Sequence, residues 1–182
     1  MAVHRWAALL RGVNVGGNRK LPMADLKSFI LDLGFSGAKT LLASGNVVFE
    51  AAETDGAALE TLLEREARRR LALETDFLLR DRRELEGAIA ANPFADAAGA
   101  RPSRLVVVFA REKLPGDLPE RIAAFHSGPE RLVTDGRHLY IDFVEGQGRS
   151  RLPQALARVK LANPMTGRNW NTVIKLRAML AS

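Results

Sequence analysis

Five consecutive apolar residues, Trp6 to Leu10, run into Arg11-Gly12-Val13-Asn14-Val15-Gly16-Gly17-Asn18. A strand covered on both faces therefore opens the chain, followed by a loop too rich in glycine to stay regular. Met23, Leu26, Ile30 and Leu33 then repeat at helical spacing, with Pro22 suited to the first turn and Gly34 to a left-handed stop. Thr40 to Ala43 and Asn46 to Glu50 flank Ser44-Gly45, and the alternation of Val47 and Phe49 predicts a hairpin with one buried face.

Leu59, Leu62, Leu63, Ala67 and Leu71 predict a second amphipathic helix, whose outward face carries Arg68-Arg69-Arg70 beside Glu60, Glu64 and Glu66 and reads as solvated. Thr75 to Leu79 predicts a fourth strand. Asp81 with Glu84 forms a capping-box pattern before Leu85, Ala88 and Ile89, and Asn92-Pro93 ends that helix.

The pattern restarts at Leu105 to Phe109, the strongest buried-strand signal in the chain, followed by a short helix over Pro119 to Phe125. Arg131 to Val133 and His138 to Phe143 flank Asp135-Gly136 as a second hairpin. Leu152, Leu156 and Val159 mark one closing helix, and Val173, Leu176 and Leu180 another. The order β-α-β-β-α thus occurs twice at roughly 100-residue spacing. It predicts an α+β fold of two ferredoxin-like halves related by internal duplication, 1–92 and 93–182, the second ending in basic helices.

Charge changes this picture at one end. The 182 residues carry 27 basic and 21 acidic side chains, yet from Gly146 to Ser182 there are seven basic residues and no acidic one: Arg149, Arg151, Arg158, Lys160, Arg168, Lys175 and Arg177. The excess is local, which is what creates a field that attracts anions. The absence of cysteine excludes disulfides and thiolate chemistry and fits a reducing cytoplasm. The short apolar run at the start does not make a signal peptide, and no stretch has the roughly 18 apolar residues of a membrane span.

Three loops then carry candidate chemistry. Arg11, Gly12, Asn14, Gly16, Gly17, Arg19 and Lys20 lie between a buried strand and a helix start, where backbone amides and cations can surround a phosphate. The glycines fit neither G-x-G-x-x-G nor a P-loop, and a tight connection needing positive φ explains them equally. Gly146-Gln147-Gly148-Arg149-Ser150-Arg151 repeats the logic, with Ser150 as helix cap; the competing reading is simple capping with solvated arginines. In Arg168-Asn169-Trp170-Asn171 the tryptophan either stacks on a base or ring or is a buried anchor with capping asparagines. If the fold gathers them, Arg11, Arg149 and Arg168 line one concave anion site and are at least partly exposed.

Catalytic groupings are thin. His4, His126 and His138 fall in different elements with no carboxylate or second histidine at ligand spacing, so no metal is expected. Ser44 lacks a G-x-S-x-G setting, and Asp25, Asp32 and Asp142 lack a recognisable acid or base partner.

Ala8-Leu9-Leu10-Arg11-Gly12-Val13-Asn14-Val15-Gly16-Gly17, Ser44-Gly45-Asn46-Val47-Val48-Phe49, Asn92-Pro93-Phe94, Gly148-Arg149-Ser150 and Arg168-Asn169-Trp170-Asn171-Thr172-Val173 together resemble the bacterial family known as domain of unknown function 1697. The resemblance spans nearly the whole chain and implies a soluble, duplicated α+β protein, with no reaction, cofactor or catalytic residue attached. The family pattern leads one to expect Lys after Gly-Arg-Ser; Arg151 keeps the charge and alters the hydrogen-bond geometry.

Three functions remain open: a binding module for an anionic ligand, either nucleic acid or a phosphorylated metabolite; a small cofactor-independent enzyme acting on such a metabolite; and an interaction module whose basic face meets an acidic partner. No cofactor is expected. Aromatic stacking in the manner of ferredoxin-like RNA binders finds little support, since the first strand offers only Trp6 and the third only Phe49.

Overall fold

The computed structural model describes residues 2–17 and 20–182. Backbone contacts divide the chain into two compact units, Met1–Gly87 with Lys175–Ser182, and Ala88–Ile174.

The first unit forms a four-stranded sheet from β1 (His4–Leu10), β2 (Ser36–Thr40), β3 (Asn46–Ala51) and β4 (Phe77–Asp81), in the order β2-β3-β1-β4 with every neighbour antiparallel. Two helices, α1 (Met23–Asp32) and α2 (Gly56–Leu71), supply the crossovers. Their apolar faces, including Leu26, Phe29, Ile30, Leu59 and Leu63, pack with Trp6, Ala8, Leu10, Val47, Phe49, Phe77 and Leu79 from one face of the sheet. Because side chains alternate along a strand, Ala7, Leu9, Val48, Leu78 and Arg80 fall on the other face, and they too are buried. Both faces of β1 are thus covered, as its unbroken apolar run predicts.

After α3 (Arg82–Ala90) and α4 (Ala95–Ala100), the second unit repeats the plan. Its sheet runs β6 (Arg131–Asp135), β7 (His138–Asp142), β5 (Leu105–Ala110), β8 (Met165–Asn169), again fully antiparallel, with α5 (Leu118–Ala123) and α6 (Leu152–Arg158) as crossovers. The helix α7 (Trp170–Ala181) closes the chain. Val106, Val108, Ala110, Leu139, Ile141 and Phe143 join Leu118, Ile122, Leu152 and Ala155 in its core.

The central strands of the two halves agree in register. Trp6 to Leu10 pair in order with Asp81 to Phe77, and Val106 to Ala110 pair in the same register with Asn169 to Met165. Loop contacts repeat as well: the amides of Arg11 and Arg111 donate to the carbonyls of Asp76 and Pro164, each at 3.0 Å. Asp81 and Asn169, which end equivalent strands, accept from the amides of Glu84 (2.7 Å) and Thr172 (3.0 Å) at the start of the next helix. Matching strand order and register in two similar halves fit a duplication.

Three elements differ from the sequence expectation. The second strand runs from Ser36 to Thr40, not from Thr40 to Ala43. Leu42 takes a left-handed φ of 59° and is exposed, so Leu41 to Gly45 form a wide turn in which apolar side chains mimic a strand. At Gly45 (φ 85°) a β-carbon would collide with the side chain of Val13, which explains the glycine. In the second half, β8 reads in sequence as a loop because Met165-Thr166-Gly167-Arg168-Asn169 has no β pattern; pairing with β5 overrides the local signal. The alanine-rich α4 lies after Pro93, where the sequence shows only an ending. No helix among the described residues is long and apolar enough to cross a membrane.

Candidate functional site

The first glycine loop is closed by its asparagine. Asn14, at φ 56°, donates from Nδ2 to the carbonyls of Leu21 (2.8 Å) and Ala43 (2.6 Å) and accepts from the Leu21 amide at Oδ1 (2.7 Å). One side chain thus ties the loop to the start of α1 and to the β2-β3 turn. Gly12, Gly16 and Gly17 all adopt positive φ, as a tight connection demands. Arg11 is exposed, but its Nη1 lies 3.2 Å from Asp76 Oδ2, and its surroundings include Glu64 and Glu74 besides Arg68. Carboxylates therefore outnumber arginines around Arg11, a poor environment for a further anion. Lys20 is exposed, and Arg19 lies outside the described residues. Asp25 already occupies the first turn of α1.

The second glycine loop borders a cleft of about 420 Å³ lined by Phe125 to Glu130 on one side and by Glu145, Gly146, Arg149, Ser150 and Arg151 on the other. Ser150 donates to Glu130 Oε1, and Glu130 Oε2 lies 2.7 Å from His126 Nε2. Glu130 is almost fully buried and His126 nearly so. Burial alone would raise the Glu130 pKa, but the hydrogen bonds from His126 and Ser150 outweigh it and hold the carboxyl below its ordinary range. The carboxylate is thus permanently ionised near neutrality. Ser150 also accepts from the Leu152 amide at 3.1 Å, although the residue at the cap position of α6 is Arg151, one later than expected. Arg149 and Arg151 are exposed on the cleft and form no ion pair among the described residues. Arg158 stacks at 4.4 Å on the ring of Phe125, at the cleft's edge. Because α6 has only seven residues, the positive field rests on these side chains and not on a helix dipole.

The His126–Glu130 pair is a correction to the sequence reading, which finds no carboxylate beside any histidine. The intervening Ser127-Gly128-Pro129 turn brings the two together, and a β-carbon at Gly128 would run into both Glu130 Oε2 and His126 Nε2. Among the described residues no group of three or more His, Cys, Asp or Glu side chains could hold a metal.

The third loop is not a loop, and Arg168 is not exposed. Arg168 lies in β8 opposite Val107, buried, donating Nη1 to Thr166 Oγ1 (2.7 Å) and to the Gly167 carbonyl (2.8 Å). Burial pushes its guanidinium down to about 10. The Trp170 ring is buried, so the anchor reading describes it better than stacking, and Asn169 Oδ1 caps α7 through Thr172. Asn171 is exposed on α7. Arg168 does not line the Arg149 cleft of its own unit, and Arg11 belongs to the other unit.

Asp142 also departs from expectation. Fully buried, it receives Arg101 (2.9 and 2.5 Å) and Arg131 (2.9 and 2.7 Å), while Arg131 also reaches Asp96 (3.0 and 2.8 Å) and stacks at 4.5 Å on Phe94. Hydrogen bonds from Arg101 lead the causes that hold its carboxyl below the ordinary range, against burial. Two acids and two arginines balance, so this is a structural clasp that leaves no charge for a ligand.

Residues 3–140 match the model of a family described as a protein of unknown function, DUF1697. The chain belongs to this family. A comparison with curated proteins finds no match. Among solved structures, a conserved bacterial protein from Streptococcus pneumoniae is similar over 100% of both chains, with a TM-score of 0.74 and 25% identity.

Within the DUF1697 match lie Asn14, Gly45 and Phe94, which close the first loop, meet Val13 and stack under Arg131 respectively. The 125–130 side of the cleft is inside it as well, and Arg149, Ser150 and Arg151 lie beyond it.

Proposed function

We propose that the protein binds a phosphorylated or otherwise anionic ligand in the cleft lined by His126, Arg149, Ser150 and Arg151. The observation that carries this reading is the pair of exposed arginines on one rim, with no ion pair among the described residues, above a hydroxyl and an imidazole fixed by one buried carboxylate. Two guanidinium groups supply the planar donor forks that suit phosphate oxygens. The ligand is a phosphorylated metabolite or a nucleic-acid phosphate, and the protein acts in the cytoplasm. Its two halves are read as ferredoxin-like copies, a reading supported by their equal strand order and register.

Catalysis by the Ser150–Glu130–His126 chain is less well supported. A serine nucleophile needs a base to take its proton, and a carboxylate held below its ordinary pKa is a weak one.

Titration with inorganic phosphate, followed by the backbone amide signals of residues 145–151, tests the proposal. Saturable shifts in the wild-type protein that are lost in the doubly substituted Arg149→Ala, Arg151→Ala variant are expected; equal binding by both proteins would contradict it. A series of single-stranded oligonucleotides separates the two ligand classes. Affinity that grows with length and falls steeply with salt identifies nucleic acid, whereas one that saturates at a monophosphate identifies a small molecule.

A further inference from the structure

We infer that His126 is itself a ligand-binding residue of this cleft and that Glu130 is its positioning residue, so that anion affinity follows the protonation of His126. The inference rests on the anion-binding reading and adds a residue to it. His126 lines the cleft while its Nε2 is held by Glu130 Oε2 at 2.7 Å, and the other oxygen of the same carboxylate holds Ser150 on the opposite wall. One buried group thus fixes the two walls with respect to each other.

The charges around the ring are Glu130 and Glu145, Arg149 and Arg151, with Arg158 stacked on neighbouring Phe125. The arginines and the ionised Glu130 keep their charge across the neutral range, and imidazole is the side-chain type in this lining that exchanges a proton there. With the imidazole protonated, the His126–Glu130 pair is neutral and the exposed arginines dominate. With it neutral, Glu130 leaves an uncompensated negative charge inside an anion site. Affinity is therefore highest with the ring protonated and is lost as rising pH removes its proton. Linkage requires the converse: a bound anion favours the protonated ring. Gly128 belongs to the device, because only a residue without a β-carbon leaves room for the ring and the carboxylate to meet.

Inorganic sulfate is the suitable probe, since its charge is constant over this range. Its affinity for the wild-type protein is expected to fall on the order of tenfold between pH 5.5 and pH 8.5, the size of one charge-assisted contact, and the NMR titration midpoint of the His126 ring to move to higher pH in its presence. In His126→Gln the pH dependence should vanish. In Glu130→Gln the pH dependence of sulfate affinity should shrink, because the ring loses the carboxylate that positions it; Gly128→Ala, which separates the pair while keeping both groups, should do the same and serves if Glu130→Gln fails to fold. Sulfate binding with one affinity at both pH values, or a His126 midpoint indifferent to sulfate, overturns the inference and leaves the anion site standing. No sulfate binding at either pH overturns both.

Discussion

The loops at Arg11–Lys20 and Gly146–Arg151 look alike as sequence and differ as structures. Each has glycines and arginines between a strand and a helix, and each invites an anion. In the first, Asn14 uses its amide to hold Leu21 and Ala43, and Arg11 faces Asp76 among further carboxylates. In the second, Arg149 and Arg151 stand over a cleft with no ion pair among the described residues. The difference lies in what surrounds each arginine, and those neighbours come from distant positions: Glu64, Glu74 and Asp76 for Arg11, and His126 and Glu130 for Arg149. Glycine and arginine content thus marks a loop that must bend and carry charge, while its partners decide whether the charge is available.

The largest effect expected from breaking this contrast belongs to neither loop but to the buried clasp around Asp142. Asp142→Ala leaves Arg101 and Arg131 without their central carboxylate, and loss of one member of a buried ion pair costs about 3 to 5 kcal/mol. Equilibrium urea unfolding measures it. The same group makes stability depend on acid. Its folded pKa is depressed, so its contribution is complete above the unfolded value of about 4 and is lost as pH falls through the folded one. In Asp142→Asn that part of the acid dependence should disappear.

Asn14→Ala comes next. It removes three hydrogen bonds and places alanine at φ 56°, so about 2 to 3 kcal/mol of stability should go. A loss below about 0.5 kcal/mol would mean that the first loop is not closed in the manner described.

The smallest effect on stability and the sharpest test of the contrast is the pair Arg149→Ala and Arg11→Ala. Both side chains are exposed, so neither change should alter folding by more than about 1 kcal/mol, the Arg11–Asp76 pair being partly solvated. Arg149→Ala should weaken inorganic phosphate binding about tenfold or more, and Arg11→Ala should leave it unchanged. Reversal of that order would move the anion site to the first loop.

Much of the fold is legible in the chain because its cores obey simple periods. Trp6 to Leu10 and Leu105 to Phe109 announce covered strands, and Leu59, Leu63 and Ala67 announce a helix face. What escapes the sequence is decided by tertiary pairing. The strand at Met165–Asn169 exists because β5 offers an edge, and Arg168 is buried for that reason. The candidate site is half legible. Arg149, Ser150 and Arg151 stand out by composition, but their opposite wall does not, because a His-Ser-Gly-Pro-Glu turn shows its paired imidazole and carboxylate only once Gly128 lets the chain fold back. The spacing of four between His126 and Glu130 across a glycine and a proline was the available signal.

A crystal structure of the protein grown with inorganic phosphate tests the central claim most directly. The account predicts an anion in the cleft within hydrogen-bond distance of the Arg149 and Arg151 guanidinium groups, with the His126–Glu130–Ser150 chain intact beneath it. An anion bound instead among Gly12, Gly16 and Gly17, or a cleft without phosphate in which Arg149 and Arg151 turn to carboxylates of their own chain, would contradict it.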